Sequence, residues 1–200
     1  MQTTLEKIRA HSPCAEGWTQ LLAHLGKTKA DSTPLPLSVI LESNGLEDTL
    51  WCFRAVDGFE REKRLFAVWC ARQVQRPITD PRSLAALDVA EQFANDLASL
   101  EELVAARADV WDAAWAANAE TVAAWAANAD ARAADIAAWA AWAAWAATLA
   151  DAAKAANAAY RAASDASDAS DAARASQTQE LERVLACTEA GIDPYPPLKD

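Results

Sequence analysis

Few residues in this chain could do chemistry, and two groups of them are spaced in a telling way. The run Ser164-Asp165-Ala166-Ser167-Asp168-Ala169-Ser170-Asp171 sets three carboxylates three residues apart. On a helix such a row advances roughly 5 Å per step while winding slowly about the axis. That is near the spacing of phosphates along a nucleic acid, so the row could engage a basic groove as a mimic. Its plainer reading is a solvated helix face. A calcium loop is excluded, because the glycine turn and the closing glutamate are missing. The second group is Trp139, Trp142 and Trp145. Tryptophan is enriched at interface hot spots, so the triplet could anchor a partner. The same rings could instead fill a core or a dimer seam.

Other reactive residue types offer less. The two histidines, His11 and His24, leave little material for a metal site or a base-activated nucleophile. Four cysteines (Cys14, Cys52, Cys70 and Cys187) form no CxxC pair and read as reduced, buried apolar residues. Glu101 and Glu102 read first as helix-capping residues. The chain carries no P-loop, GxGxxG, HExxH or GxSxG motif. The expectation is therefore a protein that is not an enzyme, with no catalytic residue, no metal and no cofactor.

Charge narrows the class of partner. The 200 residues carry 29 acidic and 18 basic side chains, a formal net charge of -11. Residues 1–98 hold 13 acids and 11 bases, and residues 99–200 hold 16 and 7. Such a field repels nucleic acid and anionic lipid and attracts a basic protein surface. Acidity also keeps an alanine-rich chain in solution. The N-terminal MQTTLEKIRA has no apolar signal segment. The longest apolar run, Ile136 to Ala150, is shorter than the roughly 20 residues a bilayer requires. A cytoplasmic protein of a bacterial host cell, with no membrane partner, is the expected setting.

These residues must be positioned by helices. From Val110 to about Ala175 more than half of the residues are alanine, and six of the nine tryptophans lie there. No glycine or proline occurs between Arg82 and Ala190, and alanine has the best intrinsic helix propensity. Before that stretch, Thr3 or Thr4 caps a first helix running through His11, and Ser12-Pro13 opens a second that stops at Gly26. Pro36 to Asn44 forms a short helix ended by Gly45. The near-copies Leu50-Trp51-Cys52-Phe53-Arg54-Ala55-Val56 and Val68-Trp69-Cys70-Ala71-Arg72-Gln73-Val74 read as two antiparallel helices broken at Asp57-Gly58. Asp80-Pro81 starts another helix, and Ser99-Leu100-Glu101-Glu102 is a capping box.

Beyond the capping box, Leu100, Val104, Ala108, Trp111, Trp115, Asn118, Val122 and Trp125 recur at three- and four-residue steps and form one stripe. Such a stripe must pack on other helices, on a hairpin partner or on a second copy. The face changes between Asn128 and Ile136, where the helix either bends back or presents a new surface. WAANA occurs at 115 and again at 125. A polar helix, Gln177 to Glu189, ends before Gly191. The expected fold is all-α: an N-terminal helical bundle over residues 1–98, a long Ala/Trp-rich helix or hairpin over 99–190, and an extended tail over 191–200.

The pieces LEDTLWCFRAV, RLFAVWCARQV and DPRSLAALDVAEQFAN, followed by AAWAA tracts, resemble Ala/Trp-rich phage and prophage proteins. More distantly they are similar to alanine-rich bacterial immunity proteins. In that pattern Pro81-Arg82 through Phe93 takes the place of the first helix, and Glu101 through Trp125 that of the AARAAAWAA tract. The resemblance implies an all-helical protein acting by binding a toxin or host protein. Joined to the charge, it leads to an inhibitor of a basic bacterial target, either a toxin-neutralising immunity protein or an anti-defence (anti-CRISPR) protein. Asp151, Asp165, Asp168 and Asp171 would meet the basic groove, with Trp139, Trp142 and Trp145 as apolar anchors. Two other classes stay open. One is a homo-oligomeric coiled-coil scaffold built on the tryptophan stripe. The other is an enzyme with a cleft of perturbed carboxylates.

Overall fold

The computed structural model describes residues 1–126, 132–149, 151–166 and 170–196. The chain is all-α. Its elements in order are β1 (Gln2–Thr3), α1 (Leu5–Ala10), α2 (Ala15–His24), β2 (Leu35–Pro36), α3 (Leu37–Cys52) and a 3-10 turn (Phe53–Ala55). Then follow α4 (Glu60–Gln73), α5 (Pro81–Ala94), α6 (Leu100–Ala126), α7 (Arg132–Thr148), α8 (Ala152–Ala166) and α9 (Ser170–Glu189). They fall into two compact units. The first is Met1–Phe59 with Thr178–Pro196, and the second is built from Glu60–Gln177. The division thus lies at Phe59 and within α9, not at the boundary near residue 98 expected from composition.

Most helix punctuation follows local chemistry. Thr4 caps α1 by accepting from the Lys7 amide. Asp80 caps α5 by accepting from the Arg82 amide, with Pro81 in the first turn where its missing N–H is harmless. The capping box closes in both directions: the Ser99 amide donates to Glu102 at 2.7 Å, and the Glu102 amide donates to Ser99 Oγ at 3.2 Å. Those bonds hold the Glu102 carboxyl below its usual range.

Three local expectations change. Ser12 does not cap α2; it takes a positive φ of 56°, and Cys14 becomes the cap, its Sγ accepting from the Gly17 amide. The helix expected to end at Gly45 resumes at once, so α3 runs through a kink at which Gly45 adopts φ 80°, ψ -172°. The first near-copy is not a second full helix: α3 ends at Cys52, and Phe53–Ala55 tighten into the 3-10 turn. Its counterpart lies inside α4, in the other unit.

In the first unit, β1 and β2 form a two-residue antiparallel pair, with Thr3 opposite Leu35. Strands this short leave no periodicity to read. Thr3 Oγ1 donates to the Ala55 carbonyl, and the Met1 amino group donates to Thr188 at 3.1 Å. Ser38 Oγ donates to Glu189 at 2.8 Å, tying the start of α3 to the end of α9.

In the second unit α7 is the hub, packed against α4, α5, α6 and α8. Its sequence explains the position. Ala140, Ala143, Ala144 and Ala147 are all fully buried, and side chains that small let four helices approach one backbone. The longest apolar run therefore belongs to a core helix, and no helix among the described residues is long and apolar enough to cross a membrane. The end of α7 is sealed by Arg64 of α4, which donates to the Thr148 carbonyl at 2.6 Å and the Ala147 carbonyl at 3.5 Å while lying 5.0 Å over the Phe93 ring. Burial lowers the Arg64 pKa, and the last carbonyls of a helix are where a cation is favoured. The Ala/Trp region is thus not one extended helix: α6 and α7 pack on each other, and the intervening residues 127–131, where the bend was expected, lie outside those described.

Candidate interaction surface

Helix α6 carries three separate faces. At 3.6 residues per turn, Leu103, Val110, Ala113, Ala114 and Thr121 share one side, and all five are buried. The bulky stripe lies roughly 120° around the helix from them. It contains Leu100, Val104, Trp111, Trp115 and Val122, and it is largely open: Leu100 is 64%, Trp115 51% and Val122 60% exposed. Of the coverings expected for the stripe (other helices, a hairpin partner or a second copy), the chain supplies part of one: Trp111 and Trp115 meet rings of α7. Small residues face inward because the neighbouring backbones come close, and the large side chains are left on the outer flank. The Trp125 side chain, last in the stripe, lies outside the described residues.

The third face is acidic. Glu101, Glu102, Asp109, Asp112 and Glu120 are all exposed, and the one base on α6 is Arg107. Asp109 and Asp112 reach Arg82 of α5 only through their field; Arg82 pairs directly with Asp80 at 2.6 Å, and that bond is the main reason its guanidinium is held more strongly protonated. On α6, Glu101 and Asp112 therefore flank the apolar stripe, while Glu102, Asp109 and Glu120 lie further round towards the far side.

Indole rings fix the stripe on the hub. Trp111 lies 5.8 Å from Trp115 on its own helix, and 5.4 Å and 5.0 Å from Trp142 and Trp145 on α7. Trp142 also meets Trp115 at 6.0 Å and Trp145 at 5.5 Å. Most of these pairs are edge-to-face, the favoured arrangement for aromatic quadrupoles. Trp142 and Trp145 thus join the α6 stripe and remain half-buried. Trp139 is separate from this cluster: its ring lies under the Arg161 guanidinium of α8 at 4.7 Å. The triplet read from the sequence divides between two sides of α7.

The acidic residues singled out from the sequence are also dispersed. Asp151 is the cap of α8, accepting from the Lys154 amide at 3.0 Å and pairing with Lys154 Nζ at 2.9 Å. Asp171 is exposed in the first turn of α9. Asp168 and the Asp165 side chain lie outside the described residues. The acids of α6 were not chosen as partner-binding residues from sequence, although their spacing was a usable signal: 101, 102, 109, 112 and 120 fall together on one side of a helix, with 101 and 112 next to the tryptophans.

Comparison of the chain with protein-family models, with characterised proteins and with solved structures gave no match.

Proposed function

We propose that this chain is a non-enzymatic binding protein that covers a basic surface of another protein with the outer flank of α6. One observation carries the reading: large apolar side chains stand exposed in a row on α6, flanked by the exposed carboxylates Glu101 and Asp112, with Asp109 and Glu120 further round the same helix. Exposed apolar side chains gathered in one patch are a common mark of an interaction site. The acidic border supplies charge complementarity, which steers encounter and rejects acidic partners. With five acids and one base on α6, a second copy docking through this face would set carboxylate against carboxylate. A basic partner fits better than the coiled-coil scaffold. The resemblance to phage, prophage and immunity proteins makes the target class a bacterial toxin or defence nuclease, inhibited by occlusion of a groove that otherwise holds nucleic acid.

The test is capture from bacterial lysate on the immobilised chain, followed by elution with a polyanion. A partner released by polyanion and by salt, and lost with the exposed-site double variant Trp115→Ala/Val122→Ser, is the expected result. Equal capture by the native chain and that variant overturns the assignment of the surface. A chain that elutes as a defined oligomer, dispersed by the same variant, replaces it with the scaffold reading.

A further inference from the structure

A pocket of about 90 Å³ lies among α1, α2 and α3 in the first unit. That is about the space of three waters, at roughly 30 Å³ each. Its wall includes Trp18, Trp51, Ile8, Leu21 and Ile40, and its polar groups are Asp48, Asn44 and the thiols of Cys14 and Cys52. The Asp48 carboxylate is half-buried in this largely apolar wall. Among the described residues it accepts one hydrogen bond, from Asn44 Nδ2 at 2.8 Å. The same amide nitrogen also donates to the Gly17 carbonyl at 2.8 Å, so both of its protons are used. A carboxylate has about four acceptor sites, and no lysine or arginine among the described residues forms an ion pair with this one.

The sequence builds that placement. A Cβ on Gly17 would stand 2.3 Å from Asp48 Oδ2, so glycine at this position lets the carboxylate settle onto the first turn of α2. The thiols do not offset the charge. Burial pushes the Cys52 thiol up to about 12, and the nearby Asp48 charge acts in the same direction. The guanidinium groups of Arg9 and Arg54 lie on the rings of Trp18 and Trp51, at 5.9 Å and 4.5 Å. Both arginines are exposed, and neither forms an ion pair with the carboxylate. The first turn of α2 favours a negative charge there, and a cation entering the pocket would be the carboxylate's first ion-pair partner among the described residues.

We propose that this pocket binds the ammonium head of a short alkylamine. The cation would pair with Asp48, and the alkyl stem would lie against Trp18, Ile8 and Leu21. The pocket size favours a head and stem of a few heavy atoms, the chemistry shared by a free small amine and a lysine side chain. The site is independent of the α6 surface.

The test is a titration of the full chain followed through the indole N–H signals in a two-dimensional NMR spectrum, with Trp18→Phe and Trp51→Phe assigning the two resonances. n-Butylammonium is expected to shift both signals saturably. 1-Butanol, with the same stem and no charge, should bind at least tenfold more weakly. Nα-acetyl-lysine methylamide forms the second arm: tighter binding than butylammonium assigns the site to a lysine of a peptide, and weaker binding assigns it to a free amine. Asp48→Asn should reduce butylammonium affinity tenfold or more while leaving butanol unchanged. Equal binding of butylammonium and butanol to the native chain, or no saturable shift at either indole, overturns the proposal, and that comparison requires no variant to fold.

Discussion

The rings of Trp111 and Trp145 lie 5.0 Å apart across the α6–α7 contact, so the exposed stripe of one helix is fastened to the buried hub of the other. Trp111 is only 37% exposed although it belongs to that stripe. Trp111→Ala removes three ring contacts and should destabilise the chain by about 2–4 kcal/mol. Trp115→Ala, more exposed and with two ring contacts, should cost about half as much. Urea unfolding followed by far-ultraviolet circular dichroism checks the order, and the near-ultraviolet signal of coupled indoles should fall in both.

Arg64 should be needed as a guanidinium. It covers the last carbonyls of α7 and the Phe93 ring together. Arg64→Met keeps much of the apolar stem and loses the charge-assisted bonds, at a cost of about 2–3 kcal/mol. Arg64→Lys should recover part of this, since an ammonium can meet a carbonyl without reproducing the planar fork. Equal stability of the Met and Lys variants would show that the bonds to Thr148 and Ala147 contribute nothing net.

Cys52 sets an alkaline limit. Its pKa is raised from 9.0 to about 12 in the folded chain, chiefly by burial. The unfolded chain loses this proton first as pH rises, so the stability from the protonated, buried thiol is fully present below pH 9.0 and is lost progressively towards about 12. Near pH 10.5 the loss should be on the order of 2 kcal/mol. The difference in unfolding free energy between native chain and Cys52→Ala, measured across this window, should show that slope. Exposed Cys14 should react with a thiol reagent in the folded protein while Cys52 stays protected.

Gly45 should resist substitution. Its φ of 80° and ψ of -172° belong to a region essentially confined to glycine. Gly45→Ala meets no neighbouring atom within 4 Å, so its penalty is one of backbone alone. About 1–3 kcal/mol is expected, against a few tenths for an exposed alanine substitution such as Glu42→Ala on the same helix.

Two acidic surfaces can be compared directly. Neutralising Asp109, Asp112 and Glu120 on α6 should weaken capture of a basic partner more than neutralising Asp165, Asp168 and Asp171. It should also flatten the salt dependence, since Asp112 flanks the tryptophan stripe and Asp109 and Glu120 add to the same field. The reverse order, measured by binding at two salt concentrations, would move the electrostatic surface to the serine-aspartate run.

Sequence alone determined the class of this fold and most of its punctuation. A stretch without glycine or proline and rich in alanine has no better alternative than helix, and Thr4, Asp80 and the Ser99–Glu102 pair act within one turn of their own positions. Such effects are local, so residue order specifies them. Tertiary structure decided which face each helix turned inward. The periodicity of Leu100, Val104, Trp111 and Trp115 is that of a buried stripe, yet α6 packs through Leu103, Val110, Ala113 and Ala114, because neighbouring helices come too close for an indole and leave room for a methyl group. The same constraint made α7 the hub, sent Trp139 to one side and Trp142 and Trp145 to the other, and brought Asp48 beside Gly17, 31 positions earlier in the chain. Periodicity shows that side chains share a face; only the packed neighbours decide whether that face looks inward or out.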